Sequence, residues 1–235
     1  MLSYKIIGGN LVDKSPEKIQ KMFDEISEKY DFLNNLMSFG TQIFIKKDCI
    51  NQLSVEKPCK ILDLCCGTGD LTRILRRKYK YAEVFGTDFS EKMLEIAKTK
   101  NNKIEYLQSD VTNLTFEDNS FDIITIGFGL RNIENFYGAI DEIYRVLKPK
   151  GQIMHLDFGE KNILNKIFDK ITPNLIRFFT KNNEAYSYLI KSKQEFFTPE
   201  ELIKIFEGKG LKCIKRKDYL FKTISCQVLK KITAD

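Results

Sequence analysis

A chain of 235 residues with 43% apolar composition can bury the core of one α/β domain with extra helices. No apolar run reaches the roughly 18–20 residues of a membrane span, and the start Met1-Leu2-Ser3-Tyr4-Lys5 resembles neither a secretory nor an organelle leader. A formal charge of +6 permits an anionic surface or nucleic acid and demands neither.

Residues 1–55 read as a helical cap. Ile19, Met22, Phe23, Ile26 and Tyr30 recur at helical spacing, and Ser15-Pro16-Glu17 suits a helix start with Ser15 as cap. From 56 to 160 strands and helices alternate, which implies a parallel sheet with helices on both faces. Strands are expected near 60–64, 82–87, 103–107, 121–127 and 151–158, and helices near 70–79, 90–99 and 134–147. Residues 161–195 interrupt the alternation with helical, apolar-rich sequence, and 196–235 supply a helix and two closing strands near 211–218 and 221–230. With no internal repeat and no low-complexity linker, this is one domain of 1–235.

The first strand, Ile61 to Leu64, runs into Cys65-Cys66-Gly67-Thr68-Gly69-Asp70 and a helix. The second ends in Asp88, 21 residues after Gly67. Glycines let a ligand approach the backbone, the helix N-terminus offers free N–H groups, and an acid at the second strand end can take both ribose hydroxyls. Alone the glycines could be an ordinary strand-to-helix turn; the strand, helix, strand and terminal acid in register point to a nucleoside cofactor. A dinucleotide fingerprint is incomplete, because Thr72 stands where its third glycine would be. Asp63 followed by Gly67-Thr68-Gly69 resembles motif I of S-adenosylmethionine-dependent methyltransferases. Gln108-Ser109-Asp110-Val111 follows the third strand. Asp110 either accepts from the adenine amino group, with the Val111 N–H on the ring, or caps a turn. The fourth strand ends in Gly127-Phe128-Gly129-Leu130-Arg131-Asn132, beside which the transferred methyl should lie.

Three segments make the likeness specific: Gly129-Leu130-Arg131-Asn132, Arg145-Val146-Leu147-Lys148-Pro149 and Leu156-Asp157-Phe158. With Tyr30-Asp31-Phe32-Leu33-Asn34-Asn35-Leu36-Met37-Ser38-Phe39-Gly40, they resemble the signatures of the demethylmenaquinone and ubiquinone biosynthesis C-methyltransferases, from about Val12 to about Tyr188. Departures stand at Gln42, Ile43 and Ile45, where the family usually has His, Arg and Trp, with Lys46 kept. Lys150 replaces one glycine of K-P-G-G, and Thr223-Ile224-Ser225-Cys226 replaces a glycine-rich turn and a histidine. The resemblance implies a three-layer α/β sandwich, Rossmann-like, of the class I methyltransferase type. Its sheet would have seven mostly parallel strands, with an N-terminal helical cap and an inserted helical lid. It also implies C-methylation of a polyprenyl hydroquinone: demethylmenaquinol first, then a ubiquinol precursor or another small molecule. A non-catalytic cofactor-binding subunit is the alternative of another class; nitrogen methylation lacks its Asn/Asp-Pro-Pro-Tyr/Phe run.

The expected cofactor set is Asp63, Gly67, Thr68, Gly69, Asp88, Asp110, Val111 and Gly127, holding S-adenosylmethionine. The expected catalytic set is Arg131 for the phenolate, Asn132 for its hydroxyl or a water, and Tyr30 as one exit for the proton. No metal is expected: the six cysteines show no C-x-x-C spacing, and the single histidine, His155, reads as packed in a strand. The cysteines suit a reduced, cytoplasmic setting. The run Arg73, Arg76, Arg77, Lys78, Lys80 has no interleaved aromatics, so no nucleic acid is expected. Two readings stand for the insertion, where Ile163, Leu164, Ile167, Phe168, Ile171, Leu175, Ile176, Phe178 and Phe179 alternate with Lys161, Lys166, Lys170, Arg177 and Lys181. One is a core-facing helix pair. The other is a lid that receives an isoprenoid tail and makes peripheral contact with anionic lipid at the inner face of the membrane. The partners expected are the quinol, that membrane surface and, open, a second copy in a homo-oligomer.

Overall fold

The computed structural model of the protein describes residues 13–38, 40–163, 165–167, 169–170 and 183–232. Leu164, Phe168 and the expected lid residues from Ile171 to Lys181 lie outside the described residues.

The elements form in the expected alternation. They are α1 (Pro16–Met37), α2 (Gln42–Asn51), β1 (Lys60–Leu64), α3 (Asp70–Lys78), β2 (Glu83–Asp88), α4 (Glu91–Lys100) and β3 (Glu105–Gln108). There follow β4 (Phe121–Gly127), a 3-10 turn (Leu130–Asn132), α5 (Phe136–Val146), β5 (Leu147–Phe158), α6 (Asn183–Glu195), α7 (Pro199–Gly208), β6 (Leu211–Tyr219) and β7 (Ile224–Lys231). The seven strands lie in the order β3-β2-β1-β4-β5-β7-β6. β1 through β5 are parallel, and β7 runs antiparallel to both neighbours. Central strands read as near-continuous apolar runs because both sheet faces are covered. On one face Leu62, Leu64, Ile124, Ile126 and Ile153 pack against α5 and α7. On the other, Ile61, Ile123, Met154 and Leu156 pack against α2 and α3.

Two local expectations change. Ser15 precedes α1, but its side chain makes no cap bond; its N–H instead donates to Asp13 Oδ1 at 3.0 Å. β5 begins at Leu147 rather than 151, because Leu147 pairs with Phe121 before the chain bulges and resumes register at Gln152 opposite Ile123. Lys150, in the bulge, takes a left-handed φ of 65°.

The basic run after Arg73 is used in folding α3. Arg76 donates to the carbonyls of Tyr79, Lys80 and Ala82, and Lys78 to that of Ile50, so cations sit on the carbonyls at the helix's C-terminal end. His155 packs in β5 as expected: it is buried, its Nδ1 lies 2.6 Å from Gln227 Oε1, and burial lowers its pKa.

The departures in the cap are absorbed structurally. Ile45 is buried against α3, while Gln42 donates to Asn35 Oδ1 at 2.8 Å. The retained Lys46 pairs with Asp70 at 3.0 Å, joining α2 to the start of α3.

Candidate active site

A cavity of about 220 Å³ opens at the carboxyl ends of β1 to β4, the edge where strand order reverses between β1 and β4. Ligands bind there in open α/β sheets because loops, not side chains of a continuing strand, line the crevice. Its wall carries Gly67, Asp88, Asp110, Val111 and Gly127 of the expected cofactor set, and Tyr30 and Asn132 of the expected catalytic set.

Backbone geometry sets the floor. Cys65 and Gly67 take left-handed φ of 51° and 54°, turning the chain so that the Gly67 N–H donates to Asp88 Oδ2 at 2.8 Å. The other oxygen, Oδ1, accepts from the Ser90 N–H at 2.9 Å. Each carboxylate oxygen has a second lone pair, so Asp88 can still accept two hydroxyls. Burial raises its pKa, opposed by those backbone donors. A Cβ on Gly67 would meet only the Tyr30 ring, at 3.8 Å, so glycine leaves room there for a ligand.

Three expected cofactor residues do not line this wall. Asp63 is fully buried behind it, accepting from Thr72 Oγ1 and Thr125 Oγ1, both at 2.6 Å. Burial outweighs those bonds and pushes its pKa up to about 6. Thr68 is buried beneath α1 and donates to Asp31 Oδ1 of that helix at 2.5 Å. Gly69, with φ 80°, makes room for Tyr106, whose hydroxyl would lie 2.5 Å from an added Cβ. All three shape the turn instead of facing its contents. Asp110 caps a turn on the cavity wall, its Oδ1 accepting from the Thr112 N–H and Oγ1 at 2.8 Å.

Arg131 is placed differently from Tyr30 and Asn132. It does not line the cavity. It is 4% exposed, donates to the Phe128 carbonyl, and pairs with Asp157 of β5 at 2.9 Å. Its guanidinium lies over the Phe128 and Phe158 rings, at 5.7 and 5.2 Å. A carboxylate at the end of β5 therefore holds the guanidinium between the β4 loop and β5. That loop bends sharply at Phe128, whose φ is 58° and whose N–H donates to the Leu156 carbonyl at 2.7 Å. The next residue, Asn132, faces the cavity and accepts from the Tyr188 hydroxyl of α6 at 3.2 Å.

α1 forms the opposite wall with Ile19, Phe23 and Tyr30. It is tied over the cofactor turn at two points: Asp31 reaches Thr68 and Lys100, and Asp24 accepts from Ser90 Oγ at 2.5 Å. Tyr30 is half-buried, and the loss of solvent around its hydroxyl raises its pKa, so the hydroxyl stays protonated. Lys14 lines the cavity just before α1. It makes no ion pair or hydrogen bond among the described residues, and burial lowers its pKa. Neither Lys14 nor the Arg131 partner Asp157 was assigned a role from sequence. Lys14 precedes a helix start and carries no strand-end signal; Asp157 stood in a signature without a stated contact.

The fit to S-adenosylmethionine rests on three features of this wall: a half-buried carboxylate at the end of β2, a glycine with no Cβ facing it, and Asp110 with Val111 after β3. Among the described residues no group of three or more metal-ligating side chains occurs. Solved structures share the fold. One is a chain of the Haloferax volcanii complex between a methyltransferase and its activator (TM-score 0.70, 17% identity, 90% of this chain and 98% of that one). Another is a Thermotoga maritima S-adenosylmethionine-dependent methyltransferase (TM-score 0.68, 19% identity, 90% and 99% covered). Fold and site define a class I S-adenosylmethionine-dependent methyltransferase, Rossmann-like in its sheet.

The particular family follows from sequence. The profile of the ubiE/COQ5 methyltransferase family matches residues 11–230, and the chain belongs to that family. It is 38% identical over 213 residues to the demethylmenaquinone methyltransferase of Staphylococcus haemolyticus strain JCSC1435, covering 86% of this chain and 89% of the relative. It is 40% identical over 204 residues to the enzyme of that name from Staphylococcus aureus strain JH9, covering 83% and 85%.

Proposed function

We propose that this methyltransferase methylates a ring carbon of a polyprenyl hydroquinone, with demethylmenaquinol as the acceptor and menaquinol as the product. The observation that carries the reading is the mixed lining of the cavity: apolar Ile19, Phe23, Met93, Phe128 and Ile133 stand beside Tyr30, Asn132 and Lys14, with Gln20, Glu134 and Asn135 also on the wall. An aromatic ring with hydroxyl groups suits such a lining better than a charged amine or a nucleic acid base. The names of the two staphylococcal relatives support the same acceptor.

Bound S-adenosylmethionine supplies a methyl group activated on a sulfonium. In this reading Asp88 holds the ribose hydroxyls, and Asp110 with Val111 meets the adenine. Methylation of an aromatic carbon forms a carbon–carbon bond, breaks the donor carbon–sulfur bond, and releases the ring proton. The ring carbon is nucleophilic enough only when a neighbouring hydroxyl approaches the phenolate, so the protein must favour that anion. Lys14, on the wall, serves as its counter-ion. Tyr30 stays a neutral phenol and donates to the same oxygen; Asn132, oriented by Tyr188, fixes a hydroxyl or a water that removes the proton. Arg131 acts through its bond to the Phe128 carbonyl, holding the loop that presents Asn132. That makes it a positioning residue.

The test is incubation of purified protein with methyl-labelled S-adenosylmethionine and, side by side, demethylmenaquinol and a demethylated benzoquinol precursor, with product identified by mass and fragmentation. Label on the naphthohydroquinone ring carbon supports the proposal. Label only on an oxygen, or only on a benzoquinol precursor, rejects it.

A further inference from the structure

The turn joining β6 to β7 has three consecutive residues in the left-handed region: Leu220 (φ 48°), Phe221 (φ 53°) and Lys222 (φ 67°). Glycine suits this backbone; side chains here are disfavoured. Two of them are also large and apolar, and they face solvent. Phe221 is 85% exposed and Leu220 48%. The turn is pinned in place. The Gly159 and Glu160 N–H groups donate to the carbonyls of Thr223 and Lys222, both at 2.8 Å, and Asn162 Nδ2 donates to the Phe221 carbonyl at 2.8 Å. This fastens the exposed rim to the segment leaving β5, where Ile163 and Ile167 are 73% and 48% exposed.

The charge around this rim is one-sided. Lys161, Lys166 and Lys170 are exposed and make no ion pair among the described residues. The neighbouring acids are already engaged: Glu160 by Lys222 and Arg216, and Asp169 by Lys193. The rim lies at the carboxyl end of β5, on the same sheet edge as the cavity. On the opposite edge, before β2, Tyr81 is fully exposed.

We propose that Leu220, Phe221, Ile163 and Ile167, with the lysines among them, form a docking surface for an anionic lipid bilayer. Docked this way, the cavity edge faces the lipid that dissolves a polyprenyl quinol. The inference rests on the proposed acceptor for its purpose, but not for its measurement. Apolar side chains enter the headgroup boundary while lysines meet anionic headgroups, so binding is reversible and weakens with salt.

The experiment is flotation of the full chain with phosphatidylcholine vesicles containing about one third phosphatidylglycerol, comparing wild type, Phe221→Gly and Tyr81→Gly. Glycine at 221 relieves the backbone while removing the ring. Flotation of Phe221→Gly should fall at least about tenfold, the effect of losing one buried aromatic, while Tyr81→Gly floats as wild type. Turnover on a tail-less, water-soluble demethyl-naphthohydroquinone should match wild type in both variants. No flotation of wild type at low salt, equal flotation of Phe221→Gly, or a change from dimer to monomer in Phe221→Gly by analytical ultracentrifugation would overturn the proposal. Failure of wild type to methylate the tail-less quinol, with flotation intact, would count against the acceptor and not against the surface.

Discussion

Asp63 shows how an acid near a cofactor can serve the fold. Its pKa is about 6 in the folded protein, against an ordinary value of 3.8. The folded state therefore binds its proton more tightly than the unfolded chain does. Stability from this group is fully present below the unfolded value and is lost as pH rises through about 6. Wild type should gain about 1.4 kcal/mol relative to Asp63→Asn on going from about pH 8 to about pH 5, read by urea unfolding at both values. An unchanged difference would mean that Asp63 is charged and solvated in the native state. Lys14 makes the opposite case, a cavity-wall residue that forms no ion pair or hydrogen bond among the described residues. Lys14→Met should reduce turnover about 10- to 100-fold, or roughly 1.4–2.7 kcal/mol of barrier, while calorimetric affinity for S-adenosylmethionine stays the same. Burial lowers the lysine's pKa, so the ammonium is lost as pH rises, earlier than for an exposed lysine. Lys14→Arg should keep part of the activity and move the alkaline limb of the rate profile upward.

Among the elements, the loop after β4 depends on β5. Breaking the buried Arg131–Asp157 pair leaves one charge without its partner, which costs on the order of 3–5 kcal/mol. Arg131→Met should lose both stability and turnover. The double change Arg131→Met with Asp157→Leu should recover most of the stability in denaturant unfolding. If Arg131→Met instead keeps its stability and loses only turnover, Arg131 acts on the substrate itself. A second element-scale consequence concerns the bulge entering β5. Lys150 holds a φ of 65° where glycine is unstrained, so Lys150→Gly should raise stability by about 0.5–1 kcal/mol, seen as a higher unfolding temperature.

For the whole molecule, α1 and the sheet edge close on the cavity from opposite sides, so ligand binding should stabilise the fold they share. S-adenosylmethionine at about 100 times its dissociation constant should add about 2.7 kcal/mol, shifting the melting temperature by roughly 5–10 °C. Asp88→Ala should lose most of that shift at the same concentration, because a charged hydrogen-bond partner is worth about 1.5–3 kcal/mol. A full shift in the mutant would remove Asp88 from the ribose site. Local order along the chain was enough to determine the alternation of strands and helices, the glycine turn and the acids at the ends of β2 and β3. Each depends on periodicity or on a backbone angle that few residues adopt. Membership of the family was legible for the same reason, since its signatures are contiguous. Which side of the wall each residue faces was decided only in three dimensions. Asp63, Thr68 and Gly69 share the turn with Gly67, yet face Thr72 and Thr125, α1 and Tyr106. Arg131 adjoins Asn132 in the chain, but Asp157, 26 positions away, draws it out of the cavity, while Lys14 arrives there from the far end of the chain. A buried charge goes where its counter-charge is, and that partner is fixed by packing between distant strands, which no local pattern records.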